Sequence, residues 1–336
     1  MTINIKELAD QIGVSVSTIS RVINGKDRVK TETRAKVTAA LEQSGYKPNE
    51  IARVLRGKRS NTIGIVVSDI SNIFFARIIK GVENEAMANG FDTLVCNSES
   101  DPDRERKNVE VLLSKHVSGI VMASVNYETT FECSILNADT PFVFIDNLPK
   151  YTEDFNSVSI DNAQAARQLT NYLITHGHTK IALLTGSLAE SSGLERLKGW
   201  MDAMNSNGLD MPEHWMTTGS FSIDSGFRRM EQLLASKTRP TAVLASNNNI
   251  AYGAMLALRQ HGYEVPSDFS LAAFDADDET RLIVPKLTTI NQPSMEYGRI
   301  AVGLCLQQLR NMQEGSFKQQ VLPFDLVEGE SVANTT

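Results

Sequence analysis

From Thr62 onward, short runs rich in β-branched residues alternate with stretches of helical periodicity, and this alternation restricts the chain to one class of fold. Strand-like runs include Ile63–Val67, Thr93–Cys96, Gly119–Ala123, Phe142–Ile145, Ile181–Leu184, Ala242–Ala245 and Leu271–Phe274. Helical stretches fall between and after them, at Phe75–Asn89, Arg104–Lys115, Ala163–His176, Leu194–Asn207, Asp224–Ala235, Ala251–His261 and Met295–Arg310. A strand that is apolar along its length is covered on both faces, and its parallel neighbour is reached through a crossover helix. The prediction is an α/β body of doubly wound parallel sheets. The spacing occurs twice, before and after about Asp161, so two similar lobes are expected.

The first 60 residues differ in charge from this body. They hold twelve Lys and Arg against six Asp and Glu. The chain totals of 33 and 40 leave 21 against 34 for the rest, so a head of +6 is joined to a body of −13. Within the head, Ile5, Leu8, Ala9 and Ile12 recur at helical spacing, and Gly13 supplies a turn. Ser15 is placed to cap a second helix with apolar Val16, Ile19, Val22 and Ile23. A third helix is predicted over Thr31–Ser44, with Val37, Ala40 and Leu41 inward. Lys30 stands where a small polar cap is usual, so Thr31 is expected to cap it instead.

A small cationic helix-turn-helix on a large anionic body points to a DNA reader and something that controls it. The second helix fits the major groove, with its first residues at the base edges. Val16 is placed for a thymine methyl, Ser17 for either base type and Arg21 for guanine. Ser15, Thr18, Ser20, Lys26, Arg28 and Arg34 are assigned to phosphates, which position without specifying. Lys47–Gly57 reads as a helix too short to be stable alone in water. Its Leu55, amid Arg53, Arg56, Lys58 and Arg59, has the character of a minor-groove wedge.

These residues carry a resemblance. Ile5–Asn24, with Tyr46-x-Pro-Asn-x-Ile-Ala-Arg-x-Leu-Arg56, resembles the lactose-repressor/galactose-repressor family of bacterial transcription regulators. Further blocks agree in the same order, among them Asp69-Ile-Ser-Asn-x-Phe-Phe75, Val158-x-Ile-Asp-Asn162, Arg196-Leu-x-Gly199 and Leu287-Thr-Thr-Ile-x-Gln-Pro293. The resemblance implies that Val16, Ser17 and Arg21 set operator sequence and that Leu55 is the wedge of a hinge helix. It implies a DNA-binding domain at 1–47, a hinge at 48–60 and an effector-binding and dimerisation body at 61–336. That body would resemble periplasmic sugar-binding proteins. One lobe would span about 61–160 plus 293–321, the other about 161–292 plus 322–336, with crossovers near Asp161, Gln292 and Leu322.

In open α/β sheets, ligands bind beyond the carboxyl ends of the strands. The segments there are Asp69–Phe75, Asp146-Asn147, Gly186–Arg196, Ser246–Asn249 and Asp275–Asp278, a mixture of aromatics, amides and carboxylates that suits a polyhydroxylated ligand. The family's effector positions fall on Phe74, Asp146, Asn147, Ser192, Arg196, Phe221, Asn248 and Asp275. Many sugar-binding members carry Asp at position 248. The amide here leans towards a carboxylate or phosphate ligand paired with Arg196, whereas Glu190, if it points inward, argues the other way.

No GxSxG, GxxxxGK[ST], HExxH or GxGxxG motif is present, and no carboxylate pair is placed by motif for acid–base work. His176-x-His178 is the one close histidine pair, at a turn where the family carries Gly-His. Cys96, Cys133 and Cys305 are widely spaced, the N-terminus lacks an apolar signal core, and no apolar run approaches about 20 residues. The expectation is a cytoplasmic protein without catalytic residues, cofactor or metal. It would act as a repressor, at least a homodimer with a tetramer as the alternative, on a pseudo-palindromic operator, without membrane association. Its effector would be a sugar, sugar acid or sugar phosphate. A nucleoside- or purine-responsive member, an activator, or a binding protein without DNA regulation are the alternatives.

Overall fold

The computed structural model describes residues 5–23, 29–44, 59–128, 140–150, 155–277, 282–310 and 317–335. The chain divides into two compact units, 1–59 and 60–336.

In the first unit, α1 (Ile5–Ile12), α2 (Val16–Ile23) and α3 (Thr31–Ser44) close over Leu8, Ala9, Ile19, Val22 and Val37. Gly13 joins α1 to α2 at φ +64°, a left-handed conformation that costs glycine little. Ser15 Oγ accepts from Thr18 N–H at 3.2 Å and so caps α2. At α3 the cap expectation fails. Thr31 is already the first helical residue, and the Lys30 carbonyl accepts from Arg34 N–H at 2.9 Å. The third helix therefore starts where the backbone turns, without a side-chain cap from Thr31. Arg28 and Leu55, with Lys26 and the hinge segment up to Lys58, lie outside the described residues.

The second unit has two six-stranded sheets. The first has the order β11-β5-β4-β3-β1-β2, the second β12-β10-β9-β8-β6-β7. The first contains β1 (Thr62–Val67), β2 (Asp92–Asn97), β3 (Gly119–Met122), β4 (Phe142–Ile145), β5 (Asn156–Ser159) and β11 (Gln319–Val321). The second contains β6 (Ile181–Thr185), β7 (Met216–Thr218), β8 (Ala242–Ala245), β9 (Ser270–Phe274), β10 (Thr288–Asn291) and β12 (Asp325–Val327). Pairing is parallel except for β10 with β12. The helices α4 (Ile73–Ala88), α5 (Pro102–Ser114) and α10 (Ser294–Arg310) pack on the first sheet. On the second pack α6 (Asn162–Thr175), α7 (Ser191–Ser206), α8 (Ile223–Ala235) and α9 (Asn248–Gln260). The chain thus passes between lobes after β5, after β10 and after β11. Among the described residues, no helix is long and apolar enough to cross a membrane.

Sequence periodicity does not reveal β5, β7 or β10. Strand β5 is buried throughout yet reads Asn-Ser-Val-Ser. Its polar groups are satisfied locally: Asn156 Oδ1 accepts from Lys318 N–H at 2.9 Å, and its Nδ2 donates to Gln308 Oε1 at 3.0 Å.

In both lobes a helix pair crosses at glycines. A Cβ on Gly81 of α4 would lie 2.2 Å from the Met295 carbonyl oxygen of α10, and one on Gly253 of α9 would lie 2.0 Å from the Ile223 carbonyl oxygen of α8. Backbone meets backbone at these crossings, so an added methyl has nothing flexible to displace. Gly253→Ala should cost about 1–3 kcal/mol of stability, read by urea unfolding, while Gly303→Ala, whose Cβ would meet no atom within 4 Å, should cost less. An unchanged midpoint for Gly253→Ala would contradict the close crossing.

Candidate functional site

On the head, the residues expected to read DNA lie on one helix, α2, with Val16 and Ser17 in its first turn and Arg21 in its last. Ser17 and Arg21 are exposed, and Val16 is half-buried against the head's core. The Ser15, Ser17 and Thr18 hydroxyls form a cluster, with Ser15 Oγ 2.7 Å from Ser17 Oγ and 2.8 Å from Thr18 Oγ1. Ser20 is half-buried on the same helix.

The body presents a cavity of 340 Å³ between the two lobes, at the carboxyl ends of the strands. Phe74, Asp146, Asn147, Ser192, Arg196, Phe221, Asn248 and Asp275 all line it. Glu190 does as well, with its carboxyl bonded to Asn147, another residue of the lining.

Local structure explains how these side chains arrive. Asp146 directly follows β4 and Asp275 directly follows β9, the fourth strand of each lobe. Both adopt left-handed backbone, φ +57° and +54°, a conformation that Asp tolerates better than most residues. The two aspartates are thus matching positions of a repeated architecture, aimed into one cleft. Phe74 sits on the first turn of α4, where the Asn72 side chain accepts from its N–H at 2.9 Å. Its ring packs edge-on against Phe75 and Tyr297, with centroids 5.2 and 6.1 Å away. Phe221 lies flat on Gly186, where a Cβ would come within 2.1 Å of the ring.

Arg196 is the only basic residue among the described residues that line the cavity, and it is 3 % exposed. Its Nε donates to Asn162 Oδ1 at 2.8 Å, its Nη1 donates to the Ser246 carbonyl, and its guanidinium stacks 4.1 Å from the Phe274 ring centre. Burial pushes the Asp146 carboxyl up to about 7; Arg196 opposes this, and Asp275 and Glu195 add to it. Burial likewise pushes Glu190 up to about 8, with Asp146 and Glu105 adding to the rise. Asp275 is raised by burial too, but it is held by Gln292, which donates from Nε2 at 2.7 Å and from its backbone N–H at 3.2 Å. Gln292 Oε1 in turn accepts from the buried Tyr297 hydroxyl at 2.8 Å. Asp146 Oδ1 is buried with no hydrogen-bond partner.

The lobes also bond directly. Asn72 and Asn248 exchange two amide hydrogen bonds, each 3.1 Å. Asn147 donates to Glu190 Oε2 at 2.6 Å and accepts from Ser192 N–H at 3.0 Å. Asn72 and Gln292, like the buried Arg229, were not singled out by sequence reading. Arg229 donates to the carbonyls of Thr185, Thr217 and Ser220, holding the loop that carries Phe221. His178 has both ring nitrogens engaged, with Thr241 Oγ1 at 2.9 Å and the Ala333 carbonyl at 3.2 Å, and is a structural residue.

Comparison with known proteins adds the family. Residues 4–49 match the bacterial regulatory proteins of the lacI family, and residues 60–326 match the periplasmic binding proteins and sugar binding domain of the LacI family. The chain belongs to the LacI family. It is a DNA-binding regulator with a ligand-binding body of the periplasmic type. The HTH-type transcriptional repressor PurR of Proteus mirabilis is 34% identical over 98% of this chain and 97% of its own length. The ribose operon repressor of Escherichia coli K12 is 33% identical over 96% and 98%. Among solved structures, the lac repressor dimer bound to operator and the anti-inducer ONPF superposes with a TM-score of 0.84 at 29% identity, covering 99% of this chain and 100% of that one.

The raised carboxyls give this LacI-family body a pH signature. A carboxyl with a folded-state value above its unfolded value stabilises the fold at low pH, and this contribution is lost as pH rises through the folded value. For Asp146 and Glu190 the loss begins in the ordinary carboxylate range, about pH 4, and is complete near pH 7 to 8. Thermal denaturation of the full chain should show Tm falling across that window, less steeply in Glu190→Gln. A Tm rising through it would refute the assignment.

Proposed function

We propose that this regulator is a repressor that reads a pseudo-palindromic operator as a homodimer and binds a neutral polyhydroxylated ligand, a sugar rather than a sugar acid or phosphate, between its lobes. One observation carries the ligand class: among the described residues that line the cleft, the one cation, Arg196, already donates to Asn162 and the Ser246 carbonyl and is faced by carboxyls, while Asp146 Oδ1 is buried without a partner. An anion entering there competes with Asp146, Glu190 and Asp275 for a guanidinium whose Nε and Nη1 are already engaged. A hydroxyl finds an acceptor at Asp146 and apolar plates at Phe74 and Phe221. Relatives support the class: one is the ribose operon repressor, and a solved neighbour is a transcriptional regulator CelR–cellobiose complex, TM-score 0.73.

On the head, one recognition helix reads a half-site, and two-fold symmetry supplies the other. Ser17 and Arg21 would meet bases, while Ser15, Thr18, Ser20 and Arg28 would hold phosphates and Leu55 would wedge the minor groove. Ligand acts on DNA binding by preferring one lobe arrangement, a population shift transmitted to the hinge.

A thermal-shift screen of the full chain against sugars, their phosphates and acids, and purine bases tests the ligand class. A neutral sugar should raise Tm, and its phosphate should not. Asp146→Ala should weaken that sugar by about 1–3 kcal/mol. A phosphate or base that binds more tightly than every neutral sugar would overturn the reading. In operator titrations, Arg21→Ala should lose about 1–3 kcal/mol at one base pair; equal loss on every sequence would make Arg21 a phosphate contact.

A further inference from the structure

The cleft does not end at Phe221. A second cavity of 460 Å³ adjoins the first, and Ser100, Glu190, Ser220 and Phe221 line both. Its walls come from both lobes, with Val125 and Asn126 on one side and Ser187 and Leu188 on the other. The segments that build it follow β2, β3, β6 and β7, so the space continues along the same strand ends towards the sheet edges formed by β2 and β7. Beside it the Tyr127 N–H donates to the Ala189 carbonyl, a direct bond between lobes.

The lining of this outer space selects its occupant. Among the described residues that line it, Glu190 is the only charged one and none is Lys or Arg, so a phosphate or carboxylate has no counter-charge there. Asn126 Oδ1 accepts from Glu128 N–H at 3.0 Å, which leaves its amide nitrogen as a donor. Ser187 and Ser220 add hydroxyls, and Leu188, 37 % exposed, adds an apolar plate next to Phe221. Hydroxyl-binding groups beside apolar side chains repeat part of the chemistry of the inner cavity, without its Arg196.

We propose that the outer cavity is a second sugar subsite, so that the ligand which fills the cleft is a disaccharide or a glycoside rather than a free monosaccharide. This rests on the reading of the inner cavity as a sugar site. Phe221 then serves both units, and the second unit touches both lobes, adding to the affinity difference between their arrangements.

The test is calorimetric titration of the full chain with D-glucose, cellobiose and maltose, and with D-galactose, lactose and melibiose. At least one disaccharide should bind about tenfold or more tightly than its monosaccharide. Leu188→Arg, at a partly exposed position, should abolish this surplus and leave monosaccharide binding unchanged. A monosaccharide that binds while its disaccharides bind equally or less well overturns the second subsite alone and makes the outer space an entrance. Equal loss for both sugars in Leu188→Arg overturns it too. If no sugar of either size binds, the sugar reading of the inner cavity falls, and this inference with it.

Discussion

The cleft of the body is organised around one buried cation. Arg196 is stacked on Phe274 and tied to Asn162 and the Ser246 carbonyl, all in the second lobe, and its charge reaches Asp146 in the first. An isolated buried carboxylate is too costly to keep ionised, and one cation cannot offset three. The carboxyls respond by holding protons: Asp146 and Glu190 are pushed up to about 7 and 8. A cleft whose formal composition is acidic therefore behaves near neutral pH as a hydrogen-bonding surface. Protonated carboxyls donate as well as accept, which matches the hydroxyl groups of a sugar.

The repeated architecture places these groups. Each lobe ends its fourth strand on an aspartate in left-handed backbone, and each packs a helix pair at glycine contacts. Close helix crossings fix where the strand ends point, so side chains from different segments converge within hydrogen-bond reach. The amide pair Asn72–Asn248 and the Asn147–Glu190 bond then join the lobes through groups that a ligand can compete for. Such contacts hold the lobes together through a few polar bonds between groups that line the cleft.

Much of this was legible in the sequence, and the exceptions have physical causes. Strands buried on both faces are apolar throughout, so β1, β3, β4, β6, β8 and β9 show plainly. Strand β5 does not, because it is buried while carrying Asn and Ser, and Asn156 finds its partners at Gln308 and the Lys318 N–H, far away in sequence. All eight cleft residues pointed to by strand ends and family resemblance line one cavity. The meaning of Asn248 was hidden, because its partner Asn72 lies 176 residues away. Read alone, the amide at 248 suggested an anionic ligand; paired, it is a link between lobes. The inward face of Glu190 was likewise undetermined until the fold was known.

The central claim is that carboxyls around Arg196 are protonated near neutral pH. Infrared difference spectroscopy of the full chain reads this directly through the carbonyl stretch of a protonated carboxyl. The account predicts such a band at about pH 6, titrating away near pH 7 to 8 and diminished in Glu190→Gln. A spectrum with no protonated-carboxyl band above about pH 6, or a band unaffected by Glu190→Gln and Asp146→Asn alike, would contradict it.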